Sequence, residues 1–231
     1  MLTQTVDARR YVAPYRSGVG TASGVGTALQ SVKKSAGVFG GKEKAFKPNE
    51  ELFSEGESAD YVYKILRGAV RSYKSLGEGR RKIEAFRLRG DVFGLDPGKE
   101  REFCAEAIDE VCVLVARRRT TVGTAADSEA IQELCEATAR ELQRVQQHAL
   151  LLAMSARQRM ACFLIEMSQR FGEPNLVELP MSRQDIADYL GLSIETVSRT
   201  FAKFAANGIV SLPTSRHVVL RDPDALQQMR E

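Results

Sequence analysis

MSRQDIADYLGLSIETVSRTFAKFAAN, residues 181–207, is the stretch on which the fold turns. It reads as two short helices around a tight turn. Ser182 is placed to cap the first helix, with Asp185 three residues on in capping-box position. Gly191 follows Tyr189-Leu190 and ends that helix where the backbone needs a positive φ. Ser193 then caps a second helix, whose apolar residues Val197, Phe201 and Phe204 recur at helical spacing. Ala187, Gly191 and Val197 meet the steric demands of a helix-turn-helix: a small residue where the helices approach, a glycine at the turn, an apolar filler in the angle. Ile194, Glu195, Ser198 and Arg199 are left on the outer face of the second helix, where nothing in the chain covers them. The segment therefore reads as a DNA-binding element, with an ordinary amphipathic helix pair as the plainer alternative.

The flanking sequence turns this pair into a winged helix-turn-helix. Asn207-Gly208 starts a hairpin of Ile209–Leu212 and His217–Leu220, joined through Pro213–Arg216. Asp222-Pro223 opens a last short helix over Asp224–Met229. Upstream, a helix over Ala156–Phe171 carries Met160, Phe163, Leu164 and Met167 on one stripe and ends at Gly172-Glu173-Pro174. Before it, residues 127–154 predict one long helix in which Ile131, Leu134, Thr138, Leu142, Val145, Ala149 and Leu152 form a three-and-four seam. Thr138, His148 and Cys135 make that seam imperfect. It is expected to be a parallel dimer interface, with packing on its own domain as the alternative.

Residues 43–126 have a different texture, with short runs rich in Val, Ile, Phe and Tyr between turn signals. This predicts an all-β sandwich or small barrel. Turns are expected at Arg67-Gly68, Gly77-Glu78-Gly79, Arg89-Gly90-Asp91 and Asp96-Pro97-Gly98. The triplets Arg80-Arg81-Lys82 and Arg117-Arg118-Arg119 are expected to be solvated strand or strand-end positions, with phosphate binding as the alternative. Residues 1–42, rich in Gly and Ser, read as a flexible arm. Its GxG pairs lack the preceding strand and the following Gly-Lys-Ser/Thr of a phosphate loop. The expected division is thus an arm over 1–42, a sensor-like β domain over 43–126, a dimerisation helix over 127–154 and a winged domain over 155–231.

Bulk properties exclude more than they nominate. The 231 residues can hold one large or two small domains, each with its own core. Four cysteines without a CxxC pair indicate neither a zinc site nor a disulfide framework, and two histidines make a metal centre or catalytic triad improbable. No nucleophile–base pair survives, so an enzyme is not expected. There is no apolar run of membrane-spanning length and no signal-peptide core, so a cytoplasmic protein is expected. Net charge is only +3, and residues 156–231 carry nine basic and nine acidic side chains. Charge alone does not nominate DNA; the reading requires Arg183, Arg199, Lys203 and Arg216 to gather on one face.

Several patches, in order, resemble the CRP/FNR family of bacterial transcription regulators from about Glu43 to Leu226. They are Phe53-Ser-Glu-Gly-Glu57, Leu66-Arg-Gly-Ala-Val70, Leu88-Arg-Gly-Asp-Val-Phe-Gly94 and Arg159-Met-Ala-Cys-Phe-Leu164, then Met181-Ser-Arg-Gln-Asp-Ile-Ala187, Leu190-Gly-Leu-Ser193 and Glu195-Thr-Val-Ser-Arg199. Within the family the chain is most similar to the FNR/FixK branch. The resemblance implies an α+β fold: an N-terminal double-stranded β-roll of the cyclic-nucleotide-binding jelly-roll type, a long dimerisation helix and a C-terminal winged helix-turn-helix. It implies a homodimer on double-stranded DNA, with palindromic half-sites about one helical turn apart. Arg199 would pair with guanine O6 and N7 and Glu195 would accept from a cytosine N4 amine. Ser198 would reach a base edge, and Ile194 would meet thymine methyl groups. The implied site is TTGAT-N4-ATCAA. Ser182, Arg183 and Gln184 match the family's phosphate-contacting positions, which place the helix without reading sequence.

The departures matter as much. Cyclic-nucleotide binders of the family carry a Gly-Glu pair and an Arg-Ser/Thr pair. Here Gly94-Leu95-Asp96-Pro97 stands at the first, and Phe103-Cys104 is read as lying near the second, leaving no cation for a phosphate. With no cysteine before Cys104, no iron–sulfur cluster is expected, and the two histidines do not suit haem. The resulting expectation is a FixK-like regulator without cofactor, an activator touching RNA polymerase through β-roll loops, with a role in low-oxygen metabolism or nitrogen fixation. The alternative is a ligand-gated sensor whose effector sits in the β-roll. Cys135, on the seam helix, is the candidate for a regulatory thiol.

Overall fold

The computed structural model describes residues 41–118, 125–171 and 175–230. Residues 1–40 of the expected arm, the helix end at Gly172-Glu173-Pro174 and the last arginine of the second triplet, Arg119, lie outside them, while Lys42, expected to end the arm, already begins the first strand. Eight strands come first: β1 (Lys42–Phe46), β2 (Glu51–Phe53), β3 (Tyr61–Arg67), β4 (Val70–Gly77), β5 (Arg80–Arg87), β6 (Val92–Phe93), β7 (Cys104–Ala107) and β8 (Val111–Arg117). They pair antiparallel in two four-stranded sheets, ordered β1-β8-β3-β6 and β2-β7-β4-β5. Inward residues such as Phe46, Phe53, Tyr63, Ile65, Phe93 and Val113 form one buried cluster between them, as the alternating pattern requires. Phe53, Tyr63 and Phe93 bring their ring centroids within 5.3 to 6.2 Å of one another. The turn after β3 needs its glycine: Gly68 has φ +84°, and a Cβ there would lie 2.5 Å from the Glu110 carbonyl oxygen.

Helix α1 (Ala125–Leu152) follows, beginning and ending two residues before the expected 127–154. Then come α2 (Ala156–Phe171), β9 (Leu176–Glu178), α3 (Arg183–Leu190), α4 (Ile194–Ala206), β10 (Val210–Ser211), β11 (His217–Leu220) and α5 (Pro223–Gln228). The wing is a three-stranded sheet, β10-β11-β9, not the two-stranded hairpin of the sequence reading. Its third strand is only three residues long, too short for any periodicity to show.

Beside the cluster between the β-roll sheets, a second buried cluster joins Ile83, Phe86 and Leu88 of the β-roll to Phe163 of α2, Ile186 of α3 and Phe204 of α4. Ion pairs follow the same seams. Asp91, in the turn before β6, accepts from Arg144 of α1 at 2.7 Å and pairs with Arg170 of α2; Arg87 pairs with Glu141 of α1. Arg159 of α2 donates to the carbonyls of Leu152 (2.6 Å), Met154 (2.9 Å) and Leu190 (2.8 Å). One guanidinium thereby serves the orphan carbonyls at the ends of two helices.

The first basic triplet is not solvated as expected. Arg80 is exposed, but Arg81 donates to Asp185 at 2.5 Å and Asp188 at 3.1 Å, and Lys82 donates to the Tyr189 carbonyl at 2.8 Å. The acids and the helix end that bind them lie over a hundred residues on, out of reach of local pattern. Of the second triplet, Arg117 and Arg118 are exposed, as expected.

Candidate nucleic-acid interface

The helix-turn-helix is built from its caps inward. The Ser182 hydroxyl accepts from the Asp185 amide while the Asp185 carboxylate accepts from the Ser182 amide, a complete capping box. Gly191 ends α3 with φ +64° and ψ +42°, the left-handed conformation a side chain would strain. Ser193 caps α4 by accepting from the Thr196 amide at 3.2 Å. Ala187 and Val197 are fully buried where the helices meet, and Phe201 and Phe204 continue the inner face. Opposite them, Glu195, Ser198 and Arg199 are exposed, and Ile194 is 37% exposed, a large apolar side chain left facing solvent. The Glu195 carboxyl is held below its usual range by its own backbone N–H and then by the Ser193 hydroxyl, with Arg199 adding attraction. It therefore presents a charged acceptor beside a cationic donor, one helical turn apart.

A cleft of about 400 Å³ runs beside this face, between the start of α2 and the flank of α4. Ser155, Ala156, Arg157, Thr196, Arg199 and Lys203 are among the residues lining it. Three of the lining side chains are cations, and none is a carboxylate. The amides at the start of α2 add the positive end of a helix dipole. Arg199 and Lys203 gather here as the charge argument required, but their companion is Arg157. Arg216 is exposed in the turn before β11, and Arg183 is placed elsewhere.

Arg183 lies over the Phe201 ring, its guanidinium carbon 3.4 Å from the ring centroid. Its Nη1 is buried without a partner among the described residues, and burial pulls its pKa down to about 10. This is a desolvated cation lacking a counter-charge among the described residues, which an incoming anion would supply. Gln184 is exposed and donates one amide hydrogen to Asp188 at 2.6 Å. The Ser182 hydroxyl donates to Asp185 at 2.7 Å and its amide also donates to that carboxylate. Both donors are engaged within the helix cap, so a phosphate at Ser182 would compete with Asp185.

The expected seam faces away from the body of the chain. Ile131, Leu142, Val145 and Leu152 are 38 to 59% exposed, and Thr138 and Ala149 are exposed. Leu134 is half-buried, and Cys135 is exposed in the heptad position that Leu134 was expected to fill. On the opposite side of α1, Glu133, Glu141 and Arg144 make the ion pairs to the β-roll. The amphipathicity is inverted: the ionic stripe packs inward and the apolar stripe outward.

In the β-roll, the reading that no cation stands near a phosphate position is corrected. Arg101, two residues before Phe103, is buried; it donates to Asp96 at 2.7 Å, to the Gly94 carbonyl at 2.9 Å and to the Tyr61 carbonyl at 2.5 Å. Its guanidinium carbon also lies 4.2 Å from the Phe53 ring centroid. A cyclic phosphate would have to displace Asp96 from this guanidinium, and Leu95 offers no carboxylate to a ribose. These residues do not fit a cyclic nucleotide.

Sequence reasoning missed Arg157, Arg101 and the grip of Arg81 and Lys82. Only Arg157 left a local trace, since a cation in the first turn of a helix runs against the dipole.

Comparison with known proteins agrees with this geometry. Residues 158–229 match the Crp-like helix-turn-helix domain, and residues 43–127 match the cyclic nucleotide-binding domain. The chain is 41% identical over 234 residues to the nitrogen fixation regulation protein FixK of Azorhizobium caulinodans, covering 97% of this chain and 94% of that one. It is also 41% identical over 169 residues to the transcriptional activatory protein AadR of Rhodopseudomonas palustris, covering 71% of each. The solved structure of FixK2 from Bradyrhizobium japonicum superposes with a TM-score of 0.77 at 42% identity, covering 83% of this chain and 98% of that one.

Proposed function

The chain belongs to the CRP/FNR family of transcription regulators, among its FixK-type DNA-binding members, and on that basis we propose that it reads a TTGAT-N4-ATCAA-like palindrome as a homodimer without a bound effector. The observation that carries this is the outer face of α4. Ile194, Glu195, Ser198 and Arg199 are uncovered on a helix whose other face is buried, beside a cleft holding three cations and no acid. In this reading Arg199 donates two bonds to a guanine, Glu195 accepts from a cytosine amine, Ser198 reaches a base edge, and Ile194 packs on thymine methyls. Arg183, Gln184 and the cleft residues Arg157 and Lys203 meet phosphates and set the register.

The two-fold partner lies along the outward stripe of α1, which exposes leucine and valine where a solvated face would carry charge. The ion pair of Arg101 with Asp96 supports effector-free action, because the β-roll cation is already neutralised from within. Exposed turns of the β-roll, such as Gly77-Glu78-Gly79, offer surfaces to RNA polymerase, and the FixK relatives point to a place in nitrogen-fixation control.

Binding measurements on palindromic and scrambled duplexes across a salt series test the reading. The chain is expected to favour the palindrome by about 10³-fold or more, as specific regulators do. Arg157→Ala and Lys203→Ala should weaken both duplexes alike and each lower the salt slope by about 1. Equal affinity of the unaltered chain for both duplexes would overturn the proposal.

A further inference from the structure

Helix α3, which carries the proposed phosphate contacts, is held along its length by one edge of the β-roll. Near its start, Asp185 is 1% exposed and faces two guanidiniums, Arg81 at 2.5 Å and Arg71 at 3.4 Å. One turn on, Asp188 accepts from Arg81 at 3.1 Å. At its end, Lys82 donates to the Tyr189 carbonyl, a cation at the negative end of the helix. Asp185 does two jobs at once: Oδ2 closes the capping box with Ser182, while Oδ1 takes the β-roll arginines. Arg71 is itself fixed by Glu106 of the neighbouring strand β7, so the grip is anchored one strand deeper in the same sheet. These groups are largely withdrawn from water, and breaking one side leaves a buried charge uncompensated.

We propose that the β4–β5 hairpin, through Arg71 and Arg81, is a positioning element that fixes the angle of the reading head, and hence the separation of the two α4 helices in the dimer. The role rests on the DNA-reading function proposed above. A head free to swing accepts half-sites at several separations; a head bolted to the β-roll at Asp185 and Asp188 accepts one. In this chain ion pairs do what a ligand-ordered domain would otherwise do. Arg81 touches no base or phosphate, and it acts on spacing through α3.

Spacer selection is the readout that a merely structural role would not move. Full-length protein is titrated with TTGAT–ATCAA palindromes carrying spacers of about three to six base pairs, and with duplexes bearing one half-site. Wild type should prefer the four-base-pair spacer by at least ~10-fold. Arg81→Gln should reduce that preference to about two- to threefold and Asp188→Asn should reduce it less, without summing in the double variant because Asp188→Asn removes one of the two contacts that Arg81→Gln removes. Half-site affinity should stay unchanged. Asp188 lies outside the capping box, so Asp188→Asn keeps the question answerable where Arg81→Gln unfolds the chain. Folded variants with the wild-type spacer preference, or with half-site binding lost in parallel, would overturn the positioning role alone. Indifference of the wild type to the palindrome would overturn both this proposal and the DNA-reading function beneath it.

Discussion

Arg199 and His148 show how differently two side chains relate to the sequence that encodes them. Arg199 was legible from position, because an exposed arginine one turn after a glutamate on a helix with a buried opposite face has nowhere to go but outward. The same holds for Ser182, Gly191 and Ser193, whose cap and turn chemistry is local. His148 was legible only as a flaw in a heptad. Its ring lies 4.4 Å from that of Tyr189, tilted by 34°, and both ring nitrogens are buried without partners among the described residues. Burial, reinforced by Lys82 of β5 and Arg159 of α2, lowers its pKa to about 4. Arg144 on its own helix and Glu166 of α2 line the same small cleft. Below about pH 6.5 the unfolded chain takes up a proton that the folded chain refuses until about 4, so the stability tied to His148 is complete above 6.5 and lost as pH falls toward 4. His148→Phe keeps the ring contact and removes the titration. Its melting temperature should fall less between pH 7 and pH 5 than that of the wild type, and parallel falls would refute the assignment.

At the scale of elements, helices and strands with enough residues to show a period were legible, and contacts across the chain were not. Helix α2 fell where its apolar stripe put it, whereas β9, three residues long, left no pattern. The triplet Arg80-Arg81-Lys82 reads as solvated because its partners, Asp185, Asp188 and the Tyr189 carbonyl, belong to a helix over a hundred residues away. Helix α1 carries its message in the relation of its two faces. The apolar stripe was readable, but only the structure shows the opposite stripe spending its charges on the β-roll. Each leucine buried across a seam contributes roughly 1.5–3 kcal/mol, twice in a two-fold interface. Leu142→Asp should therefore raise the dimer dissociation constant by at least ~100-fold, read by sedimentation equilibrium. Leu142 is 59% exposed in the single chain, so the monomer fold should survive. An unchanged mass would place the interface elsewhere.

Over the whole molecule, the β-roll keeps one core between its sheets, and a second core runs from its outer face through α2 into the winged domain. Phe86 of the β-roll, Phe163 of α2 and Tyr189 of α3 lie within 5.2 to 6.3 Å of one another, ring centroid to centroid. With Asp91 pairing to both α1 and α2, the β-roll, the long helix and the reading head hold together at several independent points. Long-range packing of this kind is absent from a periodicity, which is why the fold class was readable and the ties between its parts were not. Such ties suit the proposed function, since a dimer that reads two half-sites at one separation needs heads that do not wander.

If Arg199 reads a guanine in each half of a palindrome, as proposed, substituting that base pair must reveal it. Affinities of wild type and Arg199→Ala are compared on TTGAT-N4-ATCAA and on the same duplex with each half-site guanine replaced by cytosine. Wild type should lose about 1–3 kcal/mol per altered base pair, and Arg199→Ala should bind both duplexes alike at the weaker level. Wild type binding both equally, or Arg199→Ala keeping the wild-type discrimination, would rule out Arg199 as the guanine reader.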